Sequence, residues 1–114
     1  MDIKHETKED VAIVKIDKER LDSILAPLLK SELLILVNEG VKKILIDLSD
    51  VTYADSSGLG ALLFGLRQMK GMEGQLKLFA ANDRVMSLVR IARLDDYLRN
   101  YDDKKQAIKS FAQN

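Results

Sequence analysis

Residues 44–60 read Ile-Leu-Ile-Asp-Leu-Ser-Asp-Val-Thr-Tyr-Ala-Asp-Ser-Ser-Gly-Leu-Gly. The apolar run Lys43–Leu48 has the length and character of a buried central strand. Ser49–Asp55 reads as a loop, and Ser56 or Ser57 opens a helix. Leu59, Leu62, Leu63, Leu66 and Met69 recur at steps of three and four, the spacing of one helix face. Gly71 and Gly74 end that helix. Strand, loop and helix in this order are the start of an α/β unit.

Working outward, Gln75–Ala80 reads as a further strand and Asp83–Ile91 as a short helix. A last strand is expected at Tyr97–Asn100 and a terminal amphipathic helix at Lys104–Ala112. Toward the N-terminus, Val11–Ile16 is a strand. Ile3–Thr7 is a weaker edge strand beside it, joined by the polar turn Lys8-Glu9-Asp10. Asp22 or Ser23 caps the first helix, whose apolar stripe runs Ile24, Leu25, Leu28, Leu29, Leu33, Leu36 and Val37, broken by Glu32. Pro27 fits a first turn, and Gly40 stops the helix. The fold class expected is α/β, a single domain over residues 1–114. Its mixed sheet of four to five strands packs with about four helices.

Composition narrows the function. The 114 residues are 46% hydrophobic and 32% charged, the balance of a folded domain. Lys plus Arg and Asp plus Glu both number 18, so there is no basic surplus for direct nucleic-acid binding. The chain has no cysteine, which removes disulfides and thiolate sites and fits a reducing compartment. Neither a signal peptide nor a membrane span is expected, because Met1–Asp10 is highly charged and the longest apolar run, Leu33–Val37, is short. The expectation is a cytoplasmic monomer with no metal, no cofactor and no enzymatic activity. Monomer is the default because no long apolar surface run stands out.

The chemistry concentrates at Asp55-Ser56-Ser57-Gly58-Leu59-Gly60. A helix start offers free N–H groups and the positive end of the dipole, a favourable place for a phosphate. The glycines let another molecule approach the backbone. Composition alone favours a plainer reading, since serine is a common N-cap. An esterase needs glycine where Ala54 stands and a histidine after the serine, whereas the only histidine is His5. Gly58-Leu59-Gly60 begins like a dinucleotide motif, but its third glycine would fall at Leu63. The late basic residues Lys77, Arg84, Arg90, Arg93 and Arg99 read as a solvated face. Phe64, off the apolar stripe, would be an interface anchor if exposed beside Ser56.

Ala54–Gly60, preceded by Ile44–Val51, resembles the signature of the STAS domain as found in bacterial anti-sigma factor antagonists. The resemblance implies a phosphoswitch that acts by protein–protein contact. Ser56 would be the phosphoacceptor of a partner that is both anti-sigma factor and serine kinase. A PP2C-type phosphatase would reset it. Asp55, Ser57, Gly58, Leu59 and Gly60 would form the switch and partner surface with Asp22. The family often has Gly-Glu-Leu-Asp before its first helix. Here Glu19-Arg20-Leu21-Asp22 lacks the glycine, so a different loop shape is expected. The alternative is a STAS subunit of a membrane transporter or of a multiprotein stress-sensing complex.

Overall fold

A computed structural model describes residues 2–112; Met1 and residues 113–114, the ends of the expected domain, lie outside the described residues. The elements are β1 (Ile3–Lys8), β2 (Val11–Ile16), β3 (Arg20–Leu21), α1 (Ala26–Asn38), β4 (Lys43–Asp47), β5 (Tyr53–Ala54), α2 (Ser56–Gly71), β6 (Gln75–Phe79), α3 (Asp83–Ile91), β7 (Asn100–Tyr101) and α4 (Lys104–Ser110). Five strands form one mixed sheet in the order β1-β2-β4-β6-β7, with β1 antiparallel to β2 and the other pairs parallel. The architecture is the α/β domain expected, with four helices on a five-stranded sheet.

Alternation along the strands distributes the core. Ile44 and Ile46 of β4 face α1, α2 and α3, where Leu29, Leu33, Leu62, Met69, Val85 and Val89 close over them. Leu45 points the other way and joins Val11, Ile13, Ala107, Ile108 and Phe111 under α4. A strand covered on both faces is apolar through its middle, which is why Ile44–Ile46 shows no alternation between the terminal Lys43 and Asp47. The β1–β2 hairpin turns on Glu9 and Asp10, both at positive φ (50° and 71°), as a two-residue loop that matches strand twist requires.

Three expectations are corrected. The last strand is Asn100–Tyr101, not Tyr97–Asn100. Tyr97 and Leu98 both bond back to the Leu94 carbonyl, and Leu98 is drawn into the core, so pairing with β6 starts two residues later. The loop Ser49–Asp55 contains β5, which pairs in parallel with β3 in a second, two-stranded sheet. The apolar stripe of α1 is also rotated: Leu25, Ala26, Leu29, Leu33 and Leu36 are buried, whereas Ile24 and Leu28 are 81% and 48% exposed.

α1 and α2 approach closely at Gly65, where an added Cβ would lie 2.7 Å from Leu76 Cδ1 and 2.8 Å from Leu33 Cδ1. Leu33→Ala is expected to cost about 2–5 kcal/mol through lost burial and a cavity. Adding Gly65→Ala to that variant should restore part of the loss, because the new methyl group enters the vacated space and favours helix by about 1 kcal/mol. Urea unfolding of the single and double variants checks this. A double variant weaker than Leu33→Ala would show that Leu76, not Leu33, limits the size of residue 65.

Candidate functional site

The site is built by a chain that leaves the sheet and is caught again. At the end of β4 the buried carboxylate of Asp47 accepts the Ser49 N–H at 2.9 Å, which turns the chain out of the sheet. The Glu19 carbonyl then accepts the Thr52 N–H at 2.8 Å and the Tyr53 N–H at 3.1 Å, with the Thr52 hydroxyl at 3.3 Å. β3 and β5 pair through Arg20 with Tyr53 and Leu21 with Ala54, and the Asp55 N–H donates to the Leu21 carbonyl at 3.3 Å. Glu19 is not among the described residues with positive φ, so the glycine missing there is not needed for this loop.

α2 starts where this pairing ends. Its N-cap is Asp55, in extended backbone, and Asp55 Oδ1 accepts the Gly58 N–H at 3.1 Å. The cap is therefore an aspartate rather than a serine, because only residue 55 combines non-helical backbone with an acceptor in reach of the third helical N–H. Ser56 is the first helical residue and is exposed; Ser57 is half-buried. Neither hydroxyl hydrogen-bonds another residue among those described, so neither serine is spent on the cap.

The glycines divide. Gly58 is buried, and a Cβ there would lie 2.2 Å from the Leu21 carbonyl oxygen. The close approach at this position is made by the chain's own Leu21, not by a second molecule. A Cβ on Gly60 would meet nothing within 4 Å, so this glycine faces open space. Leu59 is half-buried against the core.

Parallel register continued by one residue sets Asp22 alongside Asp55. Asp22 Oδ1 accepts the N–H groups of Ile24 and Leu25 at 3.1 and 3.3 Å, forming the turn that leads into α1. α1 proper begins at Ala26, behind Leu25, which has no side-chain cap. The Leu25 N–H, then that of Ile24 and the nearby Arg20 guanidinium, hold the Asp22 carboxyl below its ordinary range. Arg20 Nε lies 3.5 Å from Asp22 Oδ2, and its guanidinium sits 4.2 Å from the centre of the Tyr53 ring. Arg84 of α3 lies 6.0 Å from the same ring.

Sequence reasoning passed over Tyr53 and Asn82, and took Arg84 only as part of a solvated basic face. Asn82 caps α3 by accepting the Val85 N–H at 2.8 Å, and its amide donates to the Thr52 carbonyl at 3.2 Å and the Val51 carbonyl at 3.4 Å. It ties α3 to the loop before Ser56. The signal available was an asparagine directly before an amphipathic run; its second contact is tertiary. Phe64 is half-buried and packs against the core, away from the role of exposed anchor. His5 is tied to Glu32 of α1 through Nε2 and Oε2 at 2.5 Å, so no imidazole serves Ser56 as a base. Among the described residues no group of three potential ligands could hold a metal ion. No described helix is long and apolar enough to cross a membrane.

The arrangement presents one exposed hydroxyl at a helix start, next to the capping carboxylate of Asp55, on backbone held by the β3–β5 pairing. Comparison with known proteins agrees with this geometry. The family model described as the STAS domain matches residues 2–107. The chain belongs to the STAS domain family. This STAS domain is 34% identical over 79 residues to the anti-sigma-B factor antagonist of Listeria monocytogenes, covering 68% of each chain. It is 35% identical over 78 residues to that of Bacillus subtilis, covering 68% of this chain and 71% of the relative. A crystal structure of a candidate anti-sigma factor antagonist from Thermotoga maritima superposes with a TM-score of 0.91 at 28% identity, covering 97% of this chain and 95% of that one.

Two outcomes follow for the STAS domain. Gly58→Ala should destabilise strongly, by about 3 kcal/mol or more, because the obstacle is a backbone carbonyl that cannot rotate away; Gly60→Ala should be neutral or stabilising by up to about 1 kcal/mol in the same urea assay. Asp22 is held below its ordinary range when folded, so its carboxylate stabilises above the unfolded value near 3.8 and loses that effect as pH falls through the folded value. Asp22→Ala should therefore be less stable than the parent at about pH 7, with the gap narrowing toward about pH 3. A gap independent of pH would assign the effect to packing.

Proposed function

We propose that this STAS domain is an anti-sigma factor antagonist switched by phosphorylation at Ser56. Unphosphorylated, it binds an anti-sigma factor that is also a serine kinase and so frees a sigma factor. Phosphorylation releases it, and a PP2C-type phosphatase returns it to the binding form. The observation that carries the reading is the Ser56 hydroxyl, exposed on the first residue of α2 and left out of the cap by Asp55. The names of the relatives supply the class of partner.

The physical case is electrostatic. A phosphoserine adds about −1.5 to −2 charges at neutral pH. The α2 N-terminus tolerates that charge, through its free N–H groups and dipole, so the fold survives. A partner docked over Asp22, Asp55, Ser57, Leu59 and Gly60 does not, because like charge brought into an interface costs several kcal/mol. Since about 1.4 kcal/mol is tenfold in affinity, one phosphate suffices. Gly58 acts in this surface from beneath, by letting Leu21 hold the turn in place.

Immobilised Ser56→Ala and Ser56→Asp proteins, exposed to lysate of the source organism, test the reading by mass spectrometry. The alanine form should retain a kinase-like anti-sigma factor that the aspartate form binds at least tenfold more weakly. Both should melt within a few degrees of the parent. Equal retention by the two forms would remove Ser56 from the switch.

A further inference from the structure

α1 is apolar on the side the domain does not use. Its inner face fills the core with Leu25, Ala26, Leu29, Leu33 and Leu36. On the outer side Ile24, in the turn just before α1, is 81% exposed, and along the helix Leu28 is 48%, Leu34 44% and Ile35 50% exposed. Pro27 and Ser31, also exposed, lie between them. Positions 24, 27, 28, 31, 34 and 35 recur at helical steps of three and four and so share one face. Four of the six large hydrophobic side chains exposed among the described residues belong to this one strip. A helix apolar on both faces is one side of a contact.

The size and position of the strip indicate what covers it. From Ile24 to Ile35 it runs about 17 Å and is one helix wide, a footprint of roughly 200 Å². A stable interface needs about 800 Å² per partner, so the strip alone is too small to hold two copies of this chain together. Its N-terminal end, however, joins the switch. Ile24 donates its N–H to Asp22, and Asp22 stands alongside Asp55 by strand register. Beside that junction Arg20, Asp22 and Ile24, with Asp2, Asp17 and Lys18, line an open cleft of about 510 Å³ at the N-terminal end of the strip. Strip and helix start therefore adjoin at Leu21 and Asp22, where the Asp55 N–H is also held.

We propose that the outward face of α1 is the phosphorylation-independent half of the surface that holds the anti-sigma factor, and that it takes an apolar strip of that partner. The inference rests on the switch reading of Ser56 above. The Ser56 end then supplies the half that phosphate turns off, and α1 supplies affinity that does not depend on charge.

The test uses the recombinant form of the anti-sigma factor retained by the Ser56→Ala protein, titrated by calorimetry. Leu28→Glu with Leu34→Glu should weaken its binding tenfold or more. The ratio of affinities of Ser56→Ala and Ser56→Asp should be the same with and without the α1 changes, because the two halves are separate contacts. Leu28→Ala with Ile35→Ala, a truncation that adds no charge, should weaken binding in the same direction without lowering the melting temperature.

Unchanged affinity in folded α1 variants, with Ser56→Asp still defective, would overturn this inference and leave the switch reading intact. A dimer in sedimentation that the α1 variants dissociate, with partner binding unchanged, would assign the strip to a second copy. A large fall in melting temperature in the truncated variant would make the strip structural. If the Ser56→Ala protein retains no anti-sigma factor, the switch reading and this inference fall together.

Discussion

The Leu21 carbonyl oxygen rests where a side chain at residue 58 would begin. That contact closes a backbone seam in which Glu19 holds Thr52 and Tyr53, β3 pairs with β5, and Leu21 receives the Asp55 N–H. The seam gives the start of α2 a defined position relative to the start of α1, although the two helices are separated in sequence by a central strand. Only glycine at 58 permits it, because the opposing group is backbone and has no rotamer to retreat into. Asp22 and Asp55 are neighbours as a consequence of this seam.

The rest of the domain supports that end as a rigid base. β4 is covered on both faces, so movement of the loop that leaves it would disturb two clusters at once. Asn82 adds a third restraint by joining α3 to the loop before Tyr53. On the opposite face α4 is held to the sheet by Phe111 and Ile108, and by Lys77, whose ammonium donates to the Ser110 carbonyl at 3.0 Å and the Ser110 hydroxyl at 2.9 Å. Lys77 is therefore a tether rather than part of a solvated basic face. Under the proposed switch, a site fixed this firmly would change by gaining charge, not by rearranging.

That distinction suits a protein whose role is contact. Exposed charge on a helix start alters folding free energy by a few tenths to about 1 kcal/mol. The same charge desolvated under a partner alters binding by several. Folding and binding would thus respond on different scales to the proposed phosphate. In the proposed interface the apolar outer face of α1 would complement this arrangement, since buried hydrocarbon contributes affinity without regard to the phosphate.

Much of the chain was legible in its residues. Hydrophobic period and length located β2 and α3 at their observed bounds, and the run Lys43–Leu48 declared a central strand, because covering on both faces leaves Ile44–Ile46 without a polar position. Ser56 at a helix start was legible from its strand–loop–helix setting and its resemblance to a known signature. Other features were decided by tertiary structure. β3 and β5 are two residues each, too short to carry a period, and exist because distant backbone groups meet. Asp55 rather than serine became the cap through the backbone angle that the seam imposes on it. α1 is apolar nearly all round, so its sequence could not say which side faces the core. Packing against α2 and the sheet settled that, burying Leu29 and Leu33 and leaving Ile24, Leu28, Leu34 and Ile35 outside.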